Sequence, residues 1–197
     1  MALDRLRVQR RSGAERFHNG SHNLDVDLLS FWQWSGSDII SNATRGVIAE
    51  YIVALALDVD VSGIREEWAA YDLTTSAGIK IEVKSAAYVQ SWFQKTFSRI
   101  SFRIPKTLAW DADTNKQSST PCRQADVYVF ALLAHKDKPT VSPLNVSQWQ
   151  FYVLATEVLN ARARSQHSIM LRTLEKLTGD PLKFVDVKQA VEKAYNR

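Results

Sequence analysis

The most constraining feature of the sequence is an unbroken apolar run, Val-Tyr-Val-Phe-Ala-Leu-Leu, at Val127–Leu133. A strand with one face in water alternates apolar and polar residues, whereas a strand without polar positions is covered on both faces. The apolar stretch at 149–154 predicts a neighbouring strand of the same sheet. Because both faces of these strands need cover, we expect an α/β sandwich around a mixed sheet.

The composition allows one sizeable core and argues against several classes of protein. The 197 residues are 45% hydrophobic and 23% charged, which does not fit a disordered, collagen-like or disulfide-stapled chain. The single cysteine, Cys122, has no partner for an internal disulfide, so we expect a reducing, cytoplasmic environment. The apolar run at 47–57 contains Glu50 and is too short to span a bilayer, so no membrane association is expected.

The remaining elements follow from the periodicity of apolar residues. Asn23 is expected to cap the first helix, and Gly78 to lie in a turn between the first two strands, which would form a hairpin. Pro105 should end the third strand. Helices are predicted at 24–36, 42–57, 157–164, 168–177 and 185–195, and strands at 68–73, 79–84 and 98–104.

Without internal repeats or a linker, the chain is expected to be a single domain of residues 1–197. Its core would span about 40–155, with an N-terminal helical extension at 1–36 and C-terminal helices at 156–197. Five arginines in the first seventeen residues leave two interpretations of that extension, a solvated helix or an arm that contacts phosphates. The net charge of +4 is compatible with a polyanionic partner but is shared by many ordinary enzymes.

The candidate chemistry is concentrated in residues 72–84. Residues two apart in a strand face the same side, so Glu82 and Lys84 should project together while Val83 faces the core. Pairing of the two strands would bring Asp72 beside Glu82, and two adjacent carboxylates repel each other unless a cation lies between them. Mg²⁺ favours such oxygen ligands, and the backbone carbonyl of Val83 could supply another.

Glu50 is a second, independent candidate. On the predicted helix its neighbours three and four residues away are apolar, so one carboxylate is set in an apolar surface. A buried carboxylate is costly unless it is paired or bound to a metal. Two interpretations stay open: an ion pair with Arg45 or Lys84, or a position facing the same cation as Asp72 and Glu82.

This pattern resembles the PD-(D/E)XK nuclease superfamily, which has the restriction-endonuclease-like fold. The match covers the predicted core: Glu50 on a helix, Asp72 at a strand end, then Glu82-x-Lys84 in a mostly apolar strand, with Tyr71 in place of the name-giving proline. The resemblance implies a three-layer sandwich in which helices flank a central mixed sheet. It also implies that Asp72 and Glu82 hold Mg²⁺ and that Lys84 orients or helps to activate the attacking water. Glu50 would touch the metal directly or through a water.

Four further positions are candidate nucleic-acid contacts. Arg99 and Arg103 share one strand face and Lys95 lies just before them, so a basic strip could follow a phosphate backbone. A solvated strand face would have the same pattern. Gln90 is similar to the first residue of the Gln-x-x-x-Tyr element of exonuclease branches, although the tyrosine is missing, and is expected to contact substrate.

Several aromatic residues have two interpretations. Trp92, Phe93 and Phe97 could stack on a flipped base, but aromatic residues beside a strand more often fill a core. Core packing is therefore the expectation for these three residues, and for Trp32 and Trp34 as well.

The leading hypothesis is a Mg²⁺-dependent phosphodiester hydrolase that acts on DNA, an endonuclease of restriction or repair type, with Mn²⁺ as a substitute cofactor. The alternative is a non-catalytic nucleic-acid-binding or interaction module that retains the nuclease fold. An enzyme that cuts RNA or a structured substrate is a third interpretation. A symmetric cut of a duplex needs two sites, so a homodimer is a further expectation.

Overall fold

A computed structural model describes residues 5–163 and 166–196. Short 3₁₀ turns at Lys138–Thr140, Val146–Gln148 and Phe184–Asp186 join some of its elements. Among these residues, no helix combines the length and apolar character needed to cross a bilayer. In chain order the helices and strands are β1 (Arg16–Asn19), β2 (His22–Asp27), α1 (Leu28–Gly36), α2 (Asn42–Ala56), β3 (Leu73–Thr74), β4 (Lys80–Ala87), β5 (Ser101–Arg103), β6 (Trp110–Asp111), β7 (Lys116–Gln117), β8 (Val127–Leu133), β9 (Trp149–Ala155), α3 (Thr156–Asn160), β10 (Ser168–Met170), α4 (Leu171–Thr178) and α5 (Val187–Tyr195).

The central sheet has four strands in the order β3-β4-β8-β9. β3 and β4 are antiparallel, β4 and β8 are parallel with Ile81 beside Val127, and β8 and β9 are antiparallel. The prediction of an α/β fold around a mixed sheet is therefore confirmed. All seven residues of β8 are buried, as its unbroken apolar run predicts.

Each face of the sheet has its own hydrophobic core, which explains why β8 has no polar position. Val127 and Val129 point to the face that α2 and α5 cover. Tyr128 and Phe130 point to the opposite face, covered by β5, β10, α3 and α4. Each fully buried side chain of this size contributes roughly 1.5–3 kcal/mol to stability.

Helix α2 agrees with its prediction in extent. Ser41 precedes it, and its hydroxyl accepts a hydrogen bond from the backbone N–H of Thr44 at 3.3 Å, which satisfies one of the free donors of the first turn. Ala49, Ile52 and Val53 are buried against the sheet. The register of these buried residues sets where Glu50 lies on the helix.

The hairpin of β3 and β4 was predicted, but its first strand is shorter than expected. Gly78 lies in the turn with φ +81°, a conformation that glycine adopts without strain. Leu73 pairs with Ile81, and Trp68 is exposed. The prediction of a strand at 68–73 is therefore wrong for 68–72, because within this segment only Leu73, the first residue of β3, pairs with another strand.

The N-terminal region differs from the predicted helix. Strands β1 and β2 form a hairpin around Gly20, and α1 begins only after Asp27, which caps it. The prediction that Asn23 caps a helix is wrong, because Leu24 and Val26 alternate with polar residues at the period of a strand.

Residues 5–15 contain no helix, so the predicted solvated helix is wrong there, and residues 1–4 lie outside the described residues. Arg5 forms ion pairs with Glu66 and Asp113, and Arg10 donates a hydrogen bond to the carbonyl of Ser62 at 2.7 Å. These two arginines of the predicted phosphate-contacting arm therefore bond to the protein itself.

The C-terminal elements are shorter than predicted. Helix α3 occupies only part of 157–164, and the predicted end at Arg164 lies outside the described residues. The first residues of 168–177 form β10, which pairs with β5 in an antiparallel arrangement before α4 begins. Pairing with a strand distant in the sequence thus overrides the local helix propensity of residues 168–170. Helix α5 agrees with the helix predicted at 185–195.

Candidate active site

Asp72 lies immediately before β3, at the edge of the central sheet. Its backbone N–H donates to the carbonyl of Ile81 at 3.0 Å, and its Oδ2 accepts a hydrogen bond from the backbone N–H of Val83 at 2.6 Å. Burial, together with the nearby carboxylates of Glu82 and Glu50, raises the pKa of Asp72 to about 7, although the Val83 N–H acts in the opposite direction. The hairpin therefore holds a partly buried carboxyl beside the middle of β4.

Glu82 and Lys84 project from the same side of β4. The Nζ of Lys84 lies 2.5 Å from Oε1 of Glu82, and both side chains are partly exposed. Ile81 and Val83 pack into the core on the other side. The two-residue period of the strand thus presents an acid and a cation together at one surface.

The backbone carbonyl of Val83 faces the same edge as Asp72. The carbonyl of Lys80 accepts from the N–H of Asp126, so the even-numbered residues of β4 bond towards β8 and the odd-numbered ones point away from it. The pairing of β3 with β4 extends only to Ile81, so Val83 lies beyond β3 on this side. Its carbonyl oxygen therefore faces the sheet edge on which Asp72 lies.

Glu50 is paired with a residue that the sequence did not indicate. Its side chain is 14% exposed, and its two carboxylate oxygens accept from Nε and Nη2 of Arg65 at 2.5 and 3.0 Å. The predicted partners have other contacts, since Lys84 pairs with Glu82 and Arg45 bonds to neutral groups. Arg65 is the only basic residue between Glu50 and Asp72, a signal that could have identified it.

The predicted cluster of three carboxylates around one cation is not formed. Within residues 5–163 and 166–196, no group of three or more histidine, cysteine, aspartate or glutamate side chains is arranged to hold a metal ion. Arg65 forms an ion pair with Glu50, which keeps this carboxylate from the other two. Glu50 is nevertheless near enough to raise the pKa of Asp72. Two carboxylates, Asp72 and Glu82, and the Val83 carbonyl remain.

These three groups fit a hard divalent cation. Mg²⁺ commonly takes one or two carboxylates and completes its octahedron with waters and substrate phosphates. In the described part of the chain Asp72 forms no ion pair, and the like charge of Glu82 raises its pKa. A cation beside Asp72 would offset both the repulsion and the cost of burial.

A cleft of about 660 Å³ opens beside Asp72. Glu50 and Arg65 line it together with Asp72, whereas Glu82 and Lys84 do not. The reason is that α2 covers one face of the sheet and the even-numbered side chains of β4 point to the other. Asp72 therefore lies where the cleft meets the Glu82 and Lys84 surface.

Gln90 is buried and hydrogen-bonded within the protein. Its side chain is 6% exposed, and its Oε1 accepts from Nη1 of Arg45 at 3.2 Å. Its Nε2 donates to the carbonyl of Ala87 and to Oγ of Ser98, both at 3.1 Å. Because these internal bonds use the amide, Gln90 supports the buried guanidinium of Arg45, and its contact with substrate stays a prediction.

The basic strip lies at the surface. Arg99 and Arg103 are exposed while Ile100 and Phe102, which alternate with them, are buried. Lys95 is exposed in the loop before them. Their contact with nucleic acid stays a prediction.

The expectation that the aromatic residues fill a core is wrong. Trp92 and Phe97 are about half exposed and Phe93 is 84% exposed, because they lie in the loop that follows β4 instead of in a sheet. Trp32 is likewise partly exposed and Trp34 strongly exposed on α1.

A family model described as bacteriophage T4 endonuclease IV matches residues 23–173. The matched region is well over half of the chain and includes the central sheet, α2 and every candidate site residue. No curated protein matches the sequence.

Proposed function

Because the chain belongs to the bacteriophage T4 endonuclease IV family, we propose that it is a Mg²⁺-dependent endonuclease that hydrolyses phosphodiester bonds of DNA. One observation carries the site assignment: the partly buried carboxyl of Asp72 lies beside Glu82, and the ammonium of Lys84 is 2.5 Å from that same Glu82. Acidic oxygens and a cation at one surface are the groups that hydrolysis of a phosphodiester needs.

We assign the cation to the carboxylates of Asp72 and Glu82 and the carbonyl of Val83, with Mn²⁺ as a substitute for Mg²⁺. When bound, such a cation lowers the pKa of a coordinated water and offsets negative charge on the phosphate. The raised pKa of Asp72 supports the assignment, because burial and the charge of Glu82 outweigh the opposing effect of Lys84, and this carboxyl forms no ion pair within the described residues.

The protein's own groups supply position and charge. Lys84 Nζ is placed to donate hydrogen bonds to the attacking water or to a phosphate oxygen, and Glu82 holds it in place. Glu50 would contact the cation through a water, because direct coordination of the cation would require Glu50 to leave Arg65. Arg65, at the wall of the cleft, holds the Glu50 carboxylate in this position.

We propose that this site is of the PD-(D/E)XK type, within a three-layer restriction-endonuclease-like sandwich. The mixed sheet, the hairpin that carries Asp72 and Glu82-x-Lys84, and Glu50 on α2 support it. The hydrophobic cores on both faces of the sheet support the layered architecture.

The test is cleavage of closed circular and linear DNA with Mg²⁺, Mn²⁺ or a chelator. Closed circles have no ends, so their nicking identifies an endonuclease. We expect wild-type cleavage only with the metals, and a loss of about a hundredfold or more in Asp72→Ala and Lys84→Ala. Lys80→Ala, which removes an exposed lysine of the same strand, is the matched control and should cleave normally. Cleavage that survives both site substitutions would exclude this site.

A non-catalytic nucleic-acid-binding module is the second candidate. It is favoured by the ion pairs of Lys84 with Glu82 and of Arg65 with Glu50, because both sets of charges are already compensated within the protein. Salt-dependent DNA affinity without metal uptake or cleavage would identify it. A comparison of DNA with RNA substrates tests which sugar the protein accepts. The mass of the protein in solution tests the proposed homodimer.

A further inference from the structure

The part of the chain that follows Glu82 is basic and lacks acidic residues. Residues 83–110 contain five basic residues and no acidic one, whereas the average of 21 acidic residues in 197 would place about three there. The stretch begins within the candidate site and runs through the loop between β4 and β5. Its basic residues are Lys84, Lys95, Arg99, Arg103 and Lys106.

The same loop exposes large aromatic side chains. Phe93 is 84% exposed and Trp92 is 52% exposed. Two large neighbouring rings in water form an apolar surface suited to covering by a ligand. Two hydrogen bonds fix the backbone of the loop. Gln94 accepts from the backbone N–H of Gln90 at 2.7 Å, and Lys138 donates to the carbonyl of Trp92 at 2.5 Å.

Cations lie among these rings. Nζ of Lys136 is 4.6 Å from the ring centroid of Tyr88 and 5.8 Å from that of Phe97, and the two rings meet edge to face. Lys95 is exposed between Phe93 and Phe97 in the sequence. A surface that alternates aromatic faces and positive charges complements a chain of stacked bases and phosphates. It does not complement an apolar protein groove.

We propose that residues 88–99 form a base-stacking surface for the DNA, with Trp92 and Phe93 against bases and Lys95 and Arg99 on phosphates. This inference rests on the proposed function, because DNA is the ligand. Lys84 lies three residues before the end of β4, so the loop begins about 10 Å from it along the strand. That distance is a span of a few nucleotides, so one DNA chain can reach both places.

The test separates stacking from charge. A short single-stranded oligonucleotide that carries a fluorescent base analogue, and heparin, a polyanion without bases, are titrated in chelator so that no cleavage occurs. We expect Trp92→Leu and Phe93→Leu to lower oligonucleotide affinity about tenfold each while heparin affinity is unchanged. Trp34→Leu is the matched control, because Trp34 is also 84% exposed but lies on α1. It should bind both ligands as the wild type does.

Unchanged oligonucleotide affinity in both variants would overturn the inference, and so would an equal loss for heparin, which would indicate charge alone. A change in self-association instead of DNA affinity would assign the rings to a second copy of the chain and overturn it as well. A wild type that binds no nucleic acid would contradict the proposed function itself. A wild type that binds and cleaves while both variants match it would contradict only the stacking surface. Thermal unfolding confirms that each variant is folded.

Discussion

The backbone N–H of Val83 donates a 2.6 Å hydrogen bond to Oδ2 of Asp72, which joins the carboxyl at the sheet edge to the centre of the Glu82-Val83-Lys84 triplet. A hydrogen bond of this kind favours the ionised carboxylate. Burial and the charge of Glu82 outweigh it, so the pKa of Asp72 is raised to about 7. Without a cation, this carboxyl is therefore partly protonated at neutral pH.

We expect Asp72→Asn to make the metal-free protein more stable at about pH 8. The pKa of Asp72 rises from 3.8 to about 7 on folding, so the folded state binds more protons between these values and stability falls as the pH rises through them. The cost above the folded pKa is up to about 4 kcal/mol. Asparagine has no charge to desolvate, and its amide oxygen can still accept from Val83. Urea unfolding in chelator measures the difference, which should vanish near pH 4.

Asp60→Asn is the control for this pH dependence. Hydrogen bonds from Ser62 lower the pKa of Asp60, which is exposed, so neutralising it should bring no gain in stability at high pH. A variant of Asp72 that is no more stable than the wild type at about pH 8 would contradict the burial of an ionised carboxyl at this position.

The ion pair of Glu50 and Arg65 should appear as a coupling energy in a double-mutant cycle. Arg65→Met leaves the largely buried Glu50 carboxylate without its partner and is expected to cost about 1–2 kcal/mol, a figure reduced for the partial exposure of Arg65. Adding Glu50→Gln should recover part of that loss. Unfolding free energies of the two single variants and the double variant give the coupling, and additive effects would show that the pair contributes nothing.

Much of the fold follows from sequence period. The unbroken run of β8, the alternation around Ile81 and the apolar face of α2 each have a single interpretation, and the structure agrees with all three. The segment after Asn23 has two, because Leu24 and Val26 fit a strand while the residues after Asp27 fit a helix. Local propensity could not locate the boundary, which a turn and a cap define.

The candidate site could likewise be predicted only in part from the sequence. The strand period places Glu82 with Lys84, and the hairpin places Asp72 beside them. The partner of Glu50 is fifteen residues away in an irregular segment, so no periodicity points to Arg65. The exposure of the rings after β4 also depends on tertiary packing, since an aromatic residue has the same sequence signature in a core and on a binding surface.

Gln90→Leu distinguishes a supporting residue from a substrate contact. The substitution removes an acceptor from the buried guanidinium of Arg45, so we expect a loss of about 1–3 kcal/mol in unfolding free energy. At a temperature where the variant is folded, its KM for DNA should equal that of the wild type. Gln117→Leu, in an exposed strand, is the control for stability. A raised KM at unchanged stability would confirm the substrate contact that the sequence predicts.

The basic strip should be visible in the salt dependence of DNA binding. If Arg99 and Arg103 each neutralise a phosphate, replacing either with glutamine should reduce the slope of log affinity against log salt by about 1. Arg16→Gln is the control, because Arg16 is paired with Asp25 in the N-terminal hairpin. Titrations at several salt concentrations in chelator measure the slopes, and slopes equal to that of the wild type would leave these two arginines as solvated surface residues.

The most direct test of the central claim is Mn²⁺ binding to the protein in the absence of DNA, followed by electron paramagnetic resonance. The account predicts a bound ion whose affinity falls at least about tenfold in Asp72→Asn and in Glu82→Gln, since each substitution removes a charged ligand. Asp60→Asn should bind Mn²⁺ as the wild type does. Mn²⁺ binding that is absent from the wild type, or unchanged by both site substitutions, would contradict a divalent cation held between Asp72 and Glu82.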